Sequence, residues 1–225
     1  SNNNQVGDKK FQSRHECCVR WIKQYVKDET TDSGKEEKKM YSRQAVVDLV
    51  ESWVGKKEAD GSYKSIIDIY NSFTGALPRN TKMEYGWAWC ACTWSALAVA
   101  LKYTPIMPIE ISCYYLIERA KAMGVWEEND AHVPKLGEAA LYDWQDNGVG
   151  DNTGTPDHVG TVTYVNQASG YFVVTEGNYG NAVKKRTISI NGRYIRGFIT
   201  PKYDSDAAQS HPCLLYTSPS PRDTR

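Results

Sequence analysis

Along the first half of the chain, apolar residues recur at helical spacing, and along the second half they fall into short strand-like runs. Ala45, Val46, Leu49, Val50 and Trp53 mark an amphipathic helix, with Ser42 as N-cap and Gly55 as its stop. Asp60-Gly61-Ser62 reads as a turn, and Ser62 is placed to cap a second helix carrying Ile66, Ile67, Ile69 and Tyr70. Cys90 to Tyr103 is rich in Ala, Leu and Trp and contains neither Gly nor Pro, the signature of a buried helix. Ile111 to Met123 predicts a further helix, stopped by Gly124. After Pro134 the segments 139–142, 159–165, 171–175, 183–190 and 194–200 are short and rich in β-branched and aromatic residues. Asn191-Gly192 predicts a two-residue hairpin joining the last two. Helices first and then an antiparallel meander give an α+β class in one domain, with no internal repeat.

Composition narrows the function classes. The 225 residues, 40% hydrophobic and 12% aromatic, suffice for one core. No run is long and apolar enough to span a bilayer, so membrane insertion is not expected. Ser1 to Lys10 shows no signal-peptide pattern. The six cysteines (17, 18, 90, 92, 113 and 213) show no CxxC spacing, so a disulfide framework is not expected, and synthesis in a reducing cytoplasm is. A formal net charge of zero disfavours nucleic acid as a partner. Lys184, Lys185, Arg186, Arg193, Arg196 and Lys202 lie in a stretch without Asp or Glu, which reads as a solvated face.

Both ends differ from the middle. Residues 1–39 are polar and charge-dense and read as a non-native or disordered extension. Gly34 to Lys39 can be encoded by a purine-rich ribosome-binding sequence, which makes Met40 the expected start. Residues 204–212 read as a linker. The tail 213–225 resembles the translation of a sequencing adapter. The domain expected to fold is 40–203.

Three short segments carry chemistry. Cys90 opens its helical run, where free N–H groups and the macrodipole favour a thiolate and the Cys90 N–H can serve an oxyanion. Cys92 competes, but two positions on it points to a different helix face. His158 opens a strand after a polar loop; His15, His132 and His211 are weaker candidates for its partner. Glu176 and Asn178 close the next strand. An antiparallel pairing through the turn at Ala168-Ser169-Gly170 brings residue 176 back beside 158, where a carboxylate can orient the imidazole. Tyr85 is a candidate oxyanion donor, with packing as its alternative. The loop containing Asp143, Asp146, Asn147, Asp151, Asn152 and Asp157 is rich in oxygen ligands but lacks EF-hand spacing. It is read as a groove-shaping loop ahead of a Ca²⁺ site, so no cofactor is expected.

Trp89-Cys90-Ala91 at a helix start, Asp157-His158-Val159-Gly160 and Glu176-Gly177-Asn178 together resemble the CHAP family of cysteine amidohydrolases and peptidases. Pro134 to Ala139, ahead of Leu141-Tyr142-Asp143-Trp144, resembles that family's PxxGD segment. The resemblance covers about residues 40–203, and in detail is to the catalytic modules of endolysins from phages or prophages of gut bacteria. It implies a papain-like fold and peptidoglycan amide cleavage, with synthesis in the host cytoplasm and action at the wall. It also implies a monomer with Cys90 as nucleophile, His158 as general base and acid, Glu176 as orienting partner and Asn178 as a further polar member. Trp87, Trp89, Trp94, Tyr142 and Trp144 become candidate groove residues. Glu138 stands where the family has Asp, and Thr93-Trp94 replaces Phe-Val, which alters packing near the site. An NlpC-type endopeptidase and a catalytically dead wall-binding module are the alternatives, with a host-directed toxin more remote.

Overall fold

The computed structural model describes residues 40–146 and 154–204. Among these are four α-helices, α1 (Arg43–Ser52), α2 (Lys64–Asn71), α3 (Cys90–Ala100) and α4 (Cys113–Ala122). Six strands follow: β1 (Trp126–Glu127), β2 (Ala139–Tyr142), β3 (His158–Asn166), β4 (Tyr171–Glu176), β5 (Lys184–Ser189) and β6 (Ile195–Ile199). They form one antiparallel sheet in the order β1-β6-β2-β3-β4-β5. The class is α+β. No described helix is long and apolar enough to cross a membrane.

Local rules account for most boundaries. The Ser42 hydroxyl accepts from the Ala45 N–H and starts α1, and the chain turns at Gly55 with φ of 91°. Ser62 does not cap α2. Its hydroxyl accepts from Lys57 N–H and donates to Asp60, closing the preceding turn, and α2 begins after Tyr63 without a side-chain cap. α4 begins two residues later than its apolar pattern suggests, so Cys113 becomes its first residue.

The largest departure lies at the end of the sheet. Asn191-Gly192 makes a turn, with Gly192 N–H donating to Ser189 O, but β5 and β6 do not pair. Instead β6 crosses to pair with β2 on one side and β1 on the other. Ile195, Phe198 and Ile199 are buried there. Burying these side chains outweighs the local hairpin preference, which contributes little without packing.

Alternation along β2 divides the core. Ala139 and Leu141 join the helices, whereas Ala140 and Tyr142 join Val162, Phe172, Val174 and Phe198 in a second cluster. α3 is apolar around its circumference and buried from Cys90 through Ala98, as befits a helix enclosed by other elements. The Ser95 hydroxyl accepts from Glu110 N–H and donates to Glu110 O, and Trp94 Nε1 donates to Pro108 O. These bonds strap the segment leading into α4 along α3.

Candidate active site

Two helix starts and one strand start converge. The first turn of α3 lies against the beginning of β3 and the end of β4, where Cys90, Thr93 and Trp94 share a crevice with Val159, Gly160, Thr175 and Gly177. Gly177 is required by this approach: a Cβ there would stand 1.8 Å from Thr93 Oγ1. Gly160 serves the second approach. The β3–β4 register pairs Thr161 with Thr175, so Glu176 lies near Gly160 rather than His158. A Cβ at Gly160 would stand 2.8 Å from Glu176 Cγ, so the bare backbone lets the glutamate reach across to the imidazole.

That reach ends in a hydrogen bond, His158 Nε2 to Glu176 Oε2 at 3.2 Å. An ionised carboxylate only accepts, which places a proton on Nε2 and frees Nδ1, and the Cys90 sulfur lies near enough to the ring that the two groups shift each other's pKa. Glu176 is fully buried and takes Arg186 Nε on both oxygens, at 2.8 and 3.1 Å. The Arg186 guanidinium also lies over the rings of Tyr179 (4.0 Å) and Trp144 (5.1 Å). Tyr142 stacks on Trp144 at 4.9 Å and on His158 at 6.1 Å, fixing the plane of the imidazole. Among the described residues its buried hydroxyl makes no hydrogen bond of ordinary geometry. Burial foremost, then the Glu176 charge, pushes the Tyr142 pKa well above its ordinary value.

On the other side of the sulfur lies a second thiol. Cys113 Sγ is 3.8 Å from Cys90 Sγ. The hydrogen bond from Cys113 pulls the Cys90 pKa well below the ordinary thiol value, with His158 and the Ala91 N–H acting in the same direction against burial. Cys113 moves well above that value, because it donates to Cys90 and is itself buried. The negative charge belongs on Cys90, since the imidazole and the α3 N–H groups surround that sulfur. Burial pulls the His158 pKa down, but Cys90 and Glu176 outweigh it and raise the value to about 9. Cys92, sealed in the core, is pushed up by burial. Opposed shifts of this kind favour a thiolate–imidazolium pair.

Cys90 opens onto a cleft of about 420 Å³ whose lining also includes Cys113, Trp87, Tyr114, Pro156 and Asp157. Asp157 Oδ2 accepts from Trp144 N–H and Asp157 N–H donates to Tyr142 O, so the residue before His158 holds the loop ends together.

Comparison of the chain with family models, with curated proteins and with solved structures found no match.

Among the residues singled out from sequence, Cys90, His158 and Glu176 come together. Asn178 does not join their hydrogen bonds; it is half-buried in the turn after β4 with φ of 58°, a conformation Asn tolerates better than most residues. Tyr85 is half exposed and donates its hydroxyl to Asp68, which takes that oxygen away from the oxyanion role. Trp89 is fully buried with Nε1 donating to Glu58 (2.9 Å), so it supports the helix start and is not a groove residue. Trp94 is likewise core, whereas Trp144 and Trp87 remain partly exposed at the site. Among the described residues no group of three or more His, Cys, Asp or Glu is arranged to hold a metal ion. Asn147, Asp151 and Asn152 of the oxygen-rich loop lie outside the described residues, as do both chain ends.

Arg186 and Cys113 were not foreseen. Arg186 sits in a basic stretch that reads as solvated, and Lys184, Lys185, Arg193 and Lys202 are indeed exposed, whereas Arg186 and Arg196 turn inward to Glu176 and Glu128. Cys113 carried one signal, its position near a helix start like that of Cys90, but nothing in the sequence brings the two starts together.

Proposed function

We propose that the chain is a cysteine-dependent amidohydrolase of papain-like, CHAP-type fold that cleaves an amide of peptidoglycan, within the stem peptide or at its junction with muramic acid. The single observation that carries the acyl-transfer chemistry is the His158 imidazole, held between the cleft-lining Cys90 sulfur and the buried, arginine-bound Glu176 carboxylate. The choice of peptidoglycan comes from the three motif segments and their resemblance to wall-degrading modules. Aromatic side chains beside the cleft suit sugar and peptide faces.

In this mechanism the Cys90 thiolate attacks the carbonyl carbon and the π electrons move to oxygen. The Cys90 backbone N–H at the start of α3 supports that oxyanion. Collapse of the adduct expels the amine, which takes its proton from His158 Nδ1, leaving a thioester on Cys90. The now neutral imidazole removes a proton from water, and hydroxide attack releases the carboxylic acid and restores the thiolate. Glu176 keeps the ring oriented and balances the imidazolium, and Arg186 holds Glu176 in turn. Being so bonded, Arg186 acts as a positioning residue.

Digestion of purified sacculi, with mass spectrometry of the released fragments, tests activity and bond choice together. New amine and carboxyl ends from the wild-type chain, absent with Cys90→Ala, are expected. Equal release by Cys90→Ala overturns the nucleophile. Intact sacculi together with an inert Cys90 point to a wall-binding module instead.

A further inference from the structure

We propose that Cys90 and Cys113 form an oxidisable dithiol: a reversible disulfide between the two helix starts that blocks the nucleophile under oxidant. The two sulfurs are 3.8 Å apart and both residues line the same cleft, so a small oxidant reaching one reaches the other. They are chemically unlike. Cys90 has an imidazole and helix N–H groups around it and is the thiolate, whereas Cys113 keeps its proton. That asymmetry is what oxidation to a disulfide uses, since only the thiolate reacts quickly with a peroxide and a neighbouring thiol then resolves the product.

The steps balance with a hydroperoxide as oxidant. The Cys90 thiolate attacks the peroxide O–O bond, takes up one oxygen, and after protonation is a sulfenic acid; hydrogen peroxide leaves as water. The Cys113 sulfur then attacks the Cys90 sulfur, its proton leaves with the hydroxyl as a second water, and the S–S bond forms. Two thiols and one peroxide give one disulfide and two waters. A dithiol reductant reverses the oxidation by exchange. Closing from 3.8 Å to a bond of about 2.05 Å requires rotation of the two side chains. Without Cys113 the sulfenic acid has no such partner, and further peroxide carries it to sulfinic acid, which thiols do not reduce.

The proposal holds whatever amide the site cuts, and its primary readout is covalent. The full-length chain is treated with hydrogen peroxide, the remaining thiols are capped, and tryptic peptides are sequenced. Cleavage after Lys82, Lys102 and Arg119 puts Cys90 and Cys113 on separate peptides, 83–102 and 103–119. The expected product is those two peptides joined, lighter by two hydrogens, with fragment ions assigning the link to Cys90 and not Cys92. Dithiothreitol should restore free thiols. In Cys113→Ser, and in Cys113→Ala should the first variant not fold, Cys90 should gain two oxygens and resist dithiothreitol. A wild-type chain that gives sulfinic acid at Cys90 and no cross-link overturns the dithiol, as does equal reversibility in the Cys113 variants. Wall lysis measured on the same samples separates the two readings. A cross-link without any starting lysis keeps the dithiol and removes the hydrolase, whereas lysis lost irreversibly to peroxide without a cross-link does the opposite.

Discussion

Among the described residues, two histidine–glutamate pairs are built to nearly the same plan. His132 Nε2 lies 2.8 Å from Glu138 Oε2, and His158 Nε2 lies 3.2 Å from Glu176 Oε2. Each glutamate is buried, and each meets an arginine, Arg43 at 3.5 Å and Arg186 at 2.8 Å. What differs is the far side of the ring. His132 packs against Phe198 at 5.0 Å, whereas His158 faces the start of α3 and its thiol. A buried carboxylate–imidazole pair thus occurs twice here, and in the proposed mechanism it is the one beside a helix N-terminus and its sulfur that takes part in catalysis.

The sharpest way to break this comparison is to remove each ring. His158→Ala should lower kcat/KM for wall cleavage by about 10³-fold or more, since both proton transfers are lost. His132→Ala should keep wild-type kcat/KM and change only the free energy of unfolding, by about 1 kcal/mol. Equal losses of activity in the two variants would erase the distinction. Next come the carboxylates. Glu176→Gln should cost about 10²-fold in kcat, because the imidazolium loses its counter-charge while the fold is kept. Glu138→Gln should cost about 1–3 kcal/mol of stability at unchanged kcat. The arginines give a smaller contrast, read by denaturant titration. Arg186→Met leaves a fully buried carboxylate with His158 as its remaining partner and should cost about 3 kcal/mol. Arg43→Met should cost about 1 kcal/mol, because its contact with Glu138 is long and the bond lost is chiefly the one to Leu136 O at 2.8 Å.

The pH dependence sharpens the same point. The thiolate–imidazolium pair exists above the lowered Cys90 pKa and is lost as His158 deprotonates near 9. Hydrolysis should therefore hold through neutral pH and fall above about pH 9, where no imidazolium remains to protonate the amine. A profile that keeps rising above pH 9 would mean the proton comes from elsewhere.

How much of this the chain itself displays depends on the range of the interaction involved. The helices and β2 to β6 are legible because apolar spacing and glycine stops are local, and they recur within one to three residues of their expected ends. Trp126–Glu127 is too short to show a period, and it becomes a strand only because β6 arrives beside it. That same arrival defeats the Asn191-Gly192 hairpin. At the site, Cys90, His158 and Glu176 are legible because each occupies an element end, and the β3–β4 hairpin turns two of those ends into neighbours. Tyr85 and Trp89 look equally suited to the site from sequence. What removes them is long-range partner choice, Asp68 for the first hydroxyl and Glu58 for the indole. Cys113 and Arg186 enter through contacts 23 and 10 residues away in sequence, which no local pattern announces.

The most direct test of a thiolate activated by His158 is the rate of alkylation of Cys90 by iodoacetamide as a function of pH, followed on peptide 83–102 in the wild-type chain and in His158→Ala. The wild-type rate should stay level from pH 9 down to well below pH 8, and His158→Ala should move its midpoint upward. A wild-type rate that climbs about tenfold per pH unit up to an ordinary thiol value, unchanged by His158→Ala, would contradict it.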